Sequence, residues 1–265
     1  MKAALVSEYR KLVSTRMWWL LLLTLAGYLA FIAAVMAFSF VAAPEDSGVP
    51  VTGAELAAAV YGLVNAIGYV FPLVIGSLAM TTEFRHKTIT QSLLVEPRRG
   101  VFLGAKLLAT VPLGLLYGVV GTLAVVGVSA PLLAGWGDGA FLGDGEVVAV
   151  ILLGVVVTAL WAVLGVAFGS VVTNQVAAIV VILAFTQFVE PIARLALGAF
   201  DALDGVAKFL PGAAADGLMG ASFFGSLGGG SADLLSRPAA LVVMLAYIGV
   251  LATIGRFTTL RRDIG

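Results

Sequence analysis

Cysteine is absent from the 265 residues, which excludes disulfide frameworks, thiolate metal sites and cysteine nucleophiles together. Histidine occurs once, at His86, so a di-histidine metal site has no ligands and a Ser–His arrangement would have to be built on that one ring. Charge is scarce as well. Lys+Arg and Asp+Glu number 15 each and make up 11% of the chain, against about 25% in an ordinary soluble domain. That is too little charge to cover a water-facing globule, which excludes a soluble enzyme. Disorder is excluded by the opposite measure, because 61% of the residues are hydrophobic and the mean hydropathy is +1.09. The 32 glycines show no Gly-X-Y period, which removes collagen. What is there is a set of long apolar runs, and these make the chain a polytopic membrane protein.

Six runs are long enough to cross a hydrocarbon core about 30 Å thick, which takes roughly 20 helical residues. They cover 17–41, 56–81, 101–133, 147–172, 176–190 and 239–255. The fifth is the shortest and is expected to extend past Glu190. Thr173-Asn174-Gln175 leaves room only for a tight turn between the fourth and fifth. None of the runs alternates with a period of two, so they read as helices and not as barrel strands. The first is too long for a signal-peptide core despite Val41-Ala42-Ala43 at its end, and reads as an uncleaved anchor. The whole chain, 1–265, is expected to form one transmembrane domain.

Twelve basic residues fall on one side of this arrangement. They are Lys2, Arg10, Lys11, Arg16, Arg85, Lys87, Arg98, Arg99, Lys106, Arg256, Arg261 and Arg262, against Arg194, Lys208 and Arg237 between the fifth and sixth runs. The opposite connections carry Glu45, Asp46, Glu55, Asp138, Asp144 and Glu146. The positive-inside rule then places both termini in the cytoplasm of a cell-membrane protein. The asymmetry sets topology and gives no sign of nucleic-acid binding.

Two polar segments stand out. In residues 2–16, Leu5, Tyr9, Leu12 and Val13 share a helical face, with Lys2, Arg10 and Lys11 largely elsewhere. Such a basic amphipathic helix lies in the interface and turns into the membrane at Trp18-Trp19; a simple charged flank serving insertion accounts for it too. Residues 82–99 are expected to open with Thr82 as a helix cap. Glu83 and Lys87 would then form an i,i+4 pair, Ile89, Leu93 and Leu94 would cluster on one side, and Pro97 would end the element.

These two segments resemble a known family. S-E-Y-R-K-L-x-S-T-R-x-W-W at 7–19 and T-E-F-R-H-K-T-I-x-x-x-L-L-x-x-P-R-R at 82–99 look like the membrane (permease) subunit of type-2 ATP-binding cassette (ABC) exporters. The resemblance implies an all-α fold with six transmembrane helices. It adds an interfacial elbow helix over 1–16, a cytoplasmic coupling helix within 82–99, and short external helices within 191–237. By matching position it implies that Glu83, Phe84, Arg85, His86, Lys87 and Thr88 contact a cytoplasmic ATPase subunit. It further implies a second permease copy or paralogue as partner. The chain has no G-x-x-x-x-G-K-[ST] and not even a Gly-Lys pair, so it cannot cradle phosphates as a P-loop does. It is read as a non-enzymatic transport subunit without a cofactor of its own, with ATP and Mg on the partner. The exported substrate, whether drug, peptide, lipid or polysaccharide precursor, is left open.

Polar residues inside the spans are the remaining pointers to a transport path. Tyr61, Asn65 and Tyr69 recur at i, i+4 and i+8 with Pro72 beyond as a kink, and Gln187 and Glu190 fall on a common face with Thr186 beside it. They are expected either to line a path around a dimer axis or to hydrogen-bond between helices. Glu190-Pro191 is expected to break the fifth helix, with Arg194 pairing to Glu190. The stretch after it reads as short external helices or as an ordinary loop. Gly114/Gly118 and Gly165/Gly169 permit close helix approach. The competing class is an ion-coupled secondary transporter or channel-like protein, for which Glu190 is the residue suited to proton coupling.

Overall fold

A computed structural model describes residues 2–42, 52–198, 204–227 and 234–260. Glu45, Asp46, Phe200, Asp201, Leu203, Arg261 and Arg262 lie outside the described residues. Among the described residues every regular element is helical, and six helices are long and apolar enough to span a membrane: Met17–Val41, Gly53–Arg85, Arg99–Trp136, Gly145–Val171, Gln175–Arg194 and Arg237–Phe257. Large apolar side chains such as Leu23, Phe31, Leu123 and Val242 stay exposed on the outside of the bundle. An outer surface of that kind belongs in hydrocarbon.

In chain order, α1 (Lys2–Ser14) precedes the first span, α2 (Met17–Val41). The second span is not one rod. It is α3 (Gly53–Tyr61), α4 (Leu63–Ala66) and α5 (Val70–Arg85), broken at Gly62 and again over Ile67–Tyr69. The second break has a covalent cause: Pro72 has no N–H to return to the preceding turn. Around it, the amides of Ile67 and Gly68 both turn to the Leu63 carbonyl. Tyr61, Asn65 and Tyr69 therefore do not form the single straight stripe expected from their spacing. A short α6 (Ile89–Val95) follows, then the third span, α7 (Arg99–Trp136). Its 38 residues are about 57 Å long at 1.5 Å per residue, well beyond a 30 Å core.

The fourth span, α8 (Gly145–Val171), starts where the Asp144 carboxylate caps the amides of Glu146 and Val147 at 2.9 and 3.1 Å. α8 is the centre of the bundle, with α5 and α7 packed along it. A Cβ added at Gly165 would overlap the Leu73 carbonyl of α5, and one at Gly76 would overlap the Ala162 carbonyl of α8. Gly114 and Gly118 of α7 likewise lie against the α8 backbone at Ala159 and Val155. Both Gly-x-x-x-Gly pairs thus sit where two helix backbones touch.

The fifth span begins with α9 (Gln175–Ala184), which Asn174 caps. It widens into a π-turn over Phe185–Val189 and continues as α10 (Glu190–Gly198). Glu190-Pro191 does not break the helix, contrary to the sequence expectation. In a π-turn each carbonyl faces the amide five residues on. The Thr186 carbonyl faces the missing N–H of Pro191 and so has no helical donor, and the Tyr69 hydroxyl takes that place at 2.9 Å. After α11 (Asp204–Ala207) comes α12 (Pro211–Met219), with proline in its first turn and the left-handed Gly220 (φ +83°) at its end. All nine residues of α12 are buried, against α14, α8 and α4. α13 (Phe223–Leu227) and the last span, α14 (Arg237–Phe257), complete the chain.

Candidate functional site

Two separate buried polar clusters stand out in the bundle. The first lies at the end that holds α1 and α6. Lys106, seven residues into α7, is 2% exposed. Its ammonium donates to a Glu8 carboxylate oxygen of α1, to Glu83 Oε1 of α5 at 2.8 Å and to the Ala79 carbonyl at 3.0 Å. Lys11 of α1 donates to Glu8 Oε1 at 2.5 Å, to Glu83 Oε1 at 3.0 Å and to Ser92 Oγ of α6 at 2.9 Å. Two carboxylates and two ammonium groups thus balance inside the protein, and four helices meet at them. A buried arrangement of this kind needs each charge paired.

This geometry revises several expectations about the neighbouring segment. Thr82 does not cap a new helix, since α5 runs through it to Arg85. Glu83 points inward at 6% exposure and pairs with Lys106 and Lys11, not with Lys87. The cause is the competing long-range pair, together with a chain reversal at Lys87, whose φ is +57°. Of the six residues expected to face a partner, Arg85, His86, Lys87 and Thr88 are exposed, Phe84 is half-buried and Glu83 is buried. Arg85 also donates to Gln175 Oε1 at 3.1 Å. On α6, Ile89 is buried in a small apolar core with Met80, Phe102, Leu103, Val166 and Leu260. Leu94, at 77% exposure, points outward beside Val95, so it does not share the face of Ile89.

On α1 the buried residue is Glu8, while Leu5 and Leu12 are half-buried and Tyr9 and Val13 exposed. The inward face of α1 is therefore centred on an acid. Burial draws the Lys11 pKa down, but its hydrogen bond to Glu8 and the field of Glu83 outweigh this and hold it above the ordinary lysine value.

The second cluster lies at the end that holds α12. Asn65 sits between Trp161, whose indole N–H donates to its Oδ1 at 2.9 Å, and Asp216 of α12, which accepts from its Nδ2 at 2.5 Å. Asp216 also accepts from Arg194 Nη1 at 2.7 Å and Ser222 Oγ at 2.9 Å. Glu190 Oε1 accepts from Arg194 Nη2 at 3.1 Å and from the Gly212 amide at 2.6 Å. Gly212 is required here, because a Cβ would collide with both Arg194 and Glu190. Tyr69 donates to the Thr186 carbonyl at 2.9 Å, the carbonyl that Pro191 leaves free. A cavity of about 10 Å³ lies among Asn65, Tyr69, Glu190 and Arg194.

The structure therefore brings Asn65, Tyr69, Thr186 and Glu190 together as interhelical hydrogen-bonding groups. Tyr61 is buried apart from them and donates to the Ala140 carbonyl at 2.8 Å. Gln187, expected beside Glu190, is exposed while Thr186 and Glu190 are buried. The expected Glu190–Arg194 pair is present. Sequence reasoning missed Glu8, Lys11 and Lys106 as one unit, and Asp216 and Trp161 as partners of Asn65. Lys106 carried a usable signal, an ionisable residue inside an apolar run.

No protein-family model matches the chain, and no curated protein matches it in sequence.

Proposed function

We propose that the chain is the permease subunit of a type-2 ABC exporter, moving a substrate across the cell membrane with ATP hydrolysed on a separate subunit. The single observation that carries the reading is α6. It is a short helix with Leu94 and Val95 held out of the protein, next to exposed Arg85, His86, Lys87 and Thr88. Exposed leucine and valine beside basic groups, on a helix anchored from behind by Ile89, suit docking into a partner's groove. In this reading α1 is the elbow helix, α6 the coupling helix, and α11 to α13 the external helices. Both termini are cytoplasmic, and two permease chains work with two ATPase subunits that bind ATP and Mg.

The test is co-purification with a co-expressed ABC ATPase, comparing the native chain with a Lys87→Glu/Leu94→Asp variant. The native chain retains the ATPase and stimulates its hydrolysis in liposomes, while the variant loses both. Equal retention by the two, or substrate transport by the chain alone without nucleotide, refutes the proposal. Glu190 and Asp216, two carboxylates buried at the α12 end, favour ion-coupled transport as the second reading. Transport that persists without an ATPase and collapses with the proton gradient would select it.

A further inference from the structure

α6 is attached to the rest of the protein at two points of different character. One is apolar, the Ile89 side chain in its small core with Leu93 packed against it. The other is the hydrogen bond between Ser92 and Lys11, which joins α6 to α1 and not to a membrane-spanning helix. Leu94 and Val95 face outward and add nothing to the attachment.

α1 is itself held by charge. Glu8 is shared between Lys106 of α7 and Lys11 of its own helix, and Glu83 of α5 meets the same two cations. The two lysines are not equivalent. The Lys106 side chain is 3% exposed and has three acceptors within the protein, so no solvent is at hand to replace a lost partner. The Lys11 side chain is 41% exposed and spans Glu8, Glu83 and Ser92 at once, so its ammonium can shift among these partners while staying hydrated.

We propose that α1 is a strap, anchored to α7 by Lys106 through Glu8 and reaching α6 by Lys11 through Ser92, which sets the position of α6. Lys106 is the fixed end and Lys11 the adjustable arm. Displacement of α6 then pulls on α1 and, through the ion cluster, on the ends of α5 and α7, instead of being absorbed in the segments flanking α6. Lys11 and Ser92 are positioning residues. The strap is a property of this chain alone, and only its use as a lever rests on the exporter reading.

With no native cysteine, a cysteine pair at Thr90 on α6 and Leu108 on α7, both exposed, takes spin labels at those two sites alone. Pulsed EPR distances are read on the full chain in nanodiscs, without ATPase. The native chain and Lys11→Arg give a narrow distribution. Lys11→Met and Ser92→Ala each lose it, the second without altering the ion cluster. A native-width distribution in either Lys11→Met or Ser92→Ala overturns the proposal, since the apolar contacts of Ile89 and Leu93 then suffice to hold α6. The exporter reading is judged separately, by co-purification, so one can fail while the other stands.

Discussion

Replacing Lys106 by methionine tests whether the α1-end cluster is balanced in the way its geometry implies. The substitution keeps most of the apolar stem and removes the ammonium, leaving Glu8 and Glu83, at 4% and 6% exposure, to share Lys11. Removing one partner of a buried ion pair costs about 3–5 kcal/mol, because the charge left behind is uncompensated. For a chain of this size, that corresponds to a fall in Tm of about 6–20 °C. Adding Glu83→Gln restores neutrality, since Glu8 and Lys11 remain as a pair 2.5 Å apart. The double variant should therefore regain about 2 kcal/mol through a favourable coupling of neighbouring sites. The assay is thermal unfolding of detergent-solubilised protein, followed by intrinsic tryptophan fluorescence, on the native chain, the two single variants and the double. A double variant no more stable than Lys106→Met refutes the reasoning, as does a Lys106→Met loss under about 1 kcal/mol, the size of an exposed pair.

Three further outcomes are expected. Gly165→Leu forces α8 away from the Leu73 carbonyl of α5 and costs about 3 kcal/mol or more; Gly127→Leu, with nothing within 4 Å of its added Cβ, is the matched control, and monodispersity on gel filtration distinguishes them. Asn65→Leu strands the Trp161 indole N–H and one oxygen of Asp216, costing about 2–4 kcal/mol by the desolvation of two buried polar groups, read as a lowered midpoint in thermal unfolding. The contribution of Lys11 to holding α1 should be lost in alkali. Its folded pKa lies above its unfolded one, so its stabilisation is complete below the ordinary lysine value and is lost as pH rises through the raised value. Protease access to α1 should therefore stay constant through neutral pH and rise in strong alkali, and Lys11→Met should diminish that rise.

The six spans were legible because apolar length is a local property: each run is written in consecutive residues. The turn at Thr173-Asn174-Gln175 was legible for the same reason. What escaped was whatever depends on partners distant in the chain. Glu83 has Lys87 four residues away, yet it pairs with Lys106 and Lys11, and nothing local says that the longer reach wins. The spacing of Tyr61, Asn65 and Tyr69 presumes a regular helix, and the breaks at Gly62 and before Pro72 remove that premise. Pro191 reads as a breaker because its ring is incompatible with an ordinary turn; the wider turn before it and the Tyr69 hydroxyl that takes the released carbonyl have no local signature. Asp216 sits in a run of glycine and alanine that gives no periodicity, so its role as the partner of both Asn65 and Arg194 had no signature.

The burial of α12 bears on how the molecule is made. Its nine residues are covered partly by α14, which emerges from the ribosome after them. Until α14 has been made, the side of α12 that packs on it stays uncovered, although Asp216 already has Asn65, Arg194 and Ser222 as partners. A nascent chain stalled before residue 237 would expose that seam to quality-control proteases, so the arrival of α14 closes it.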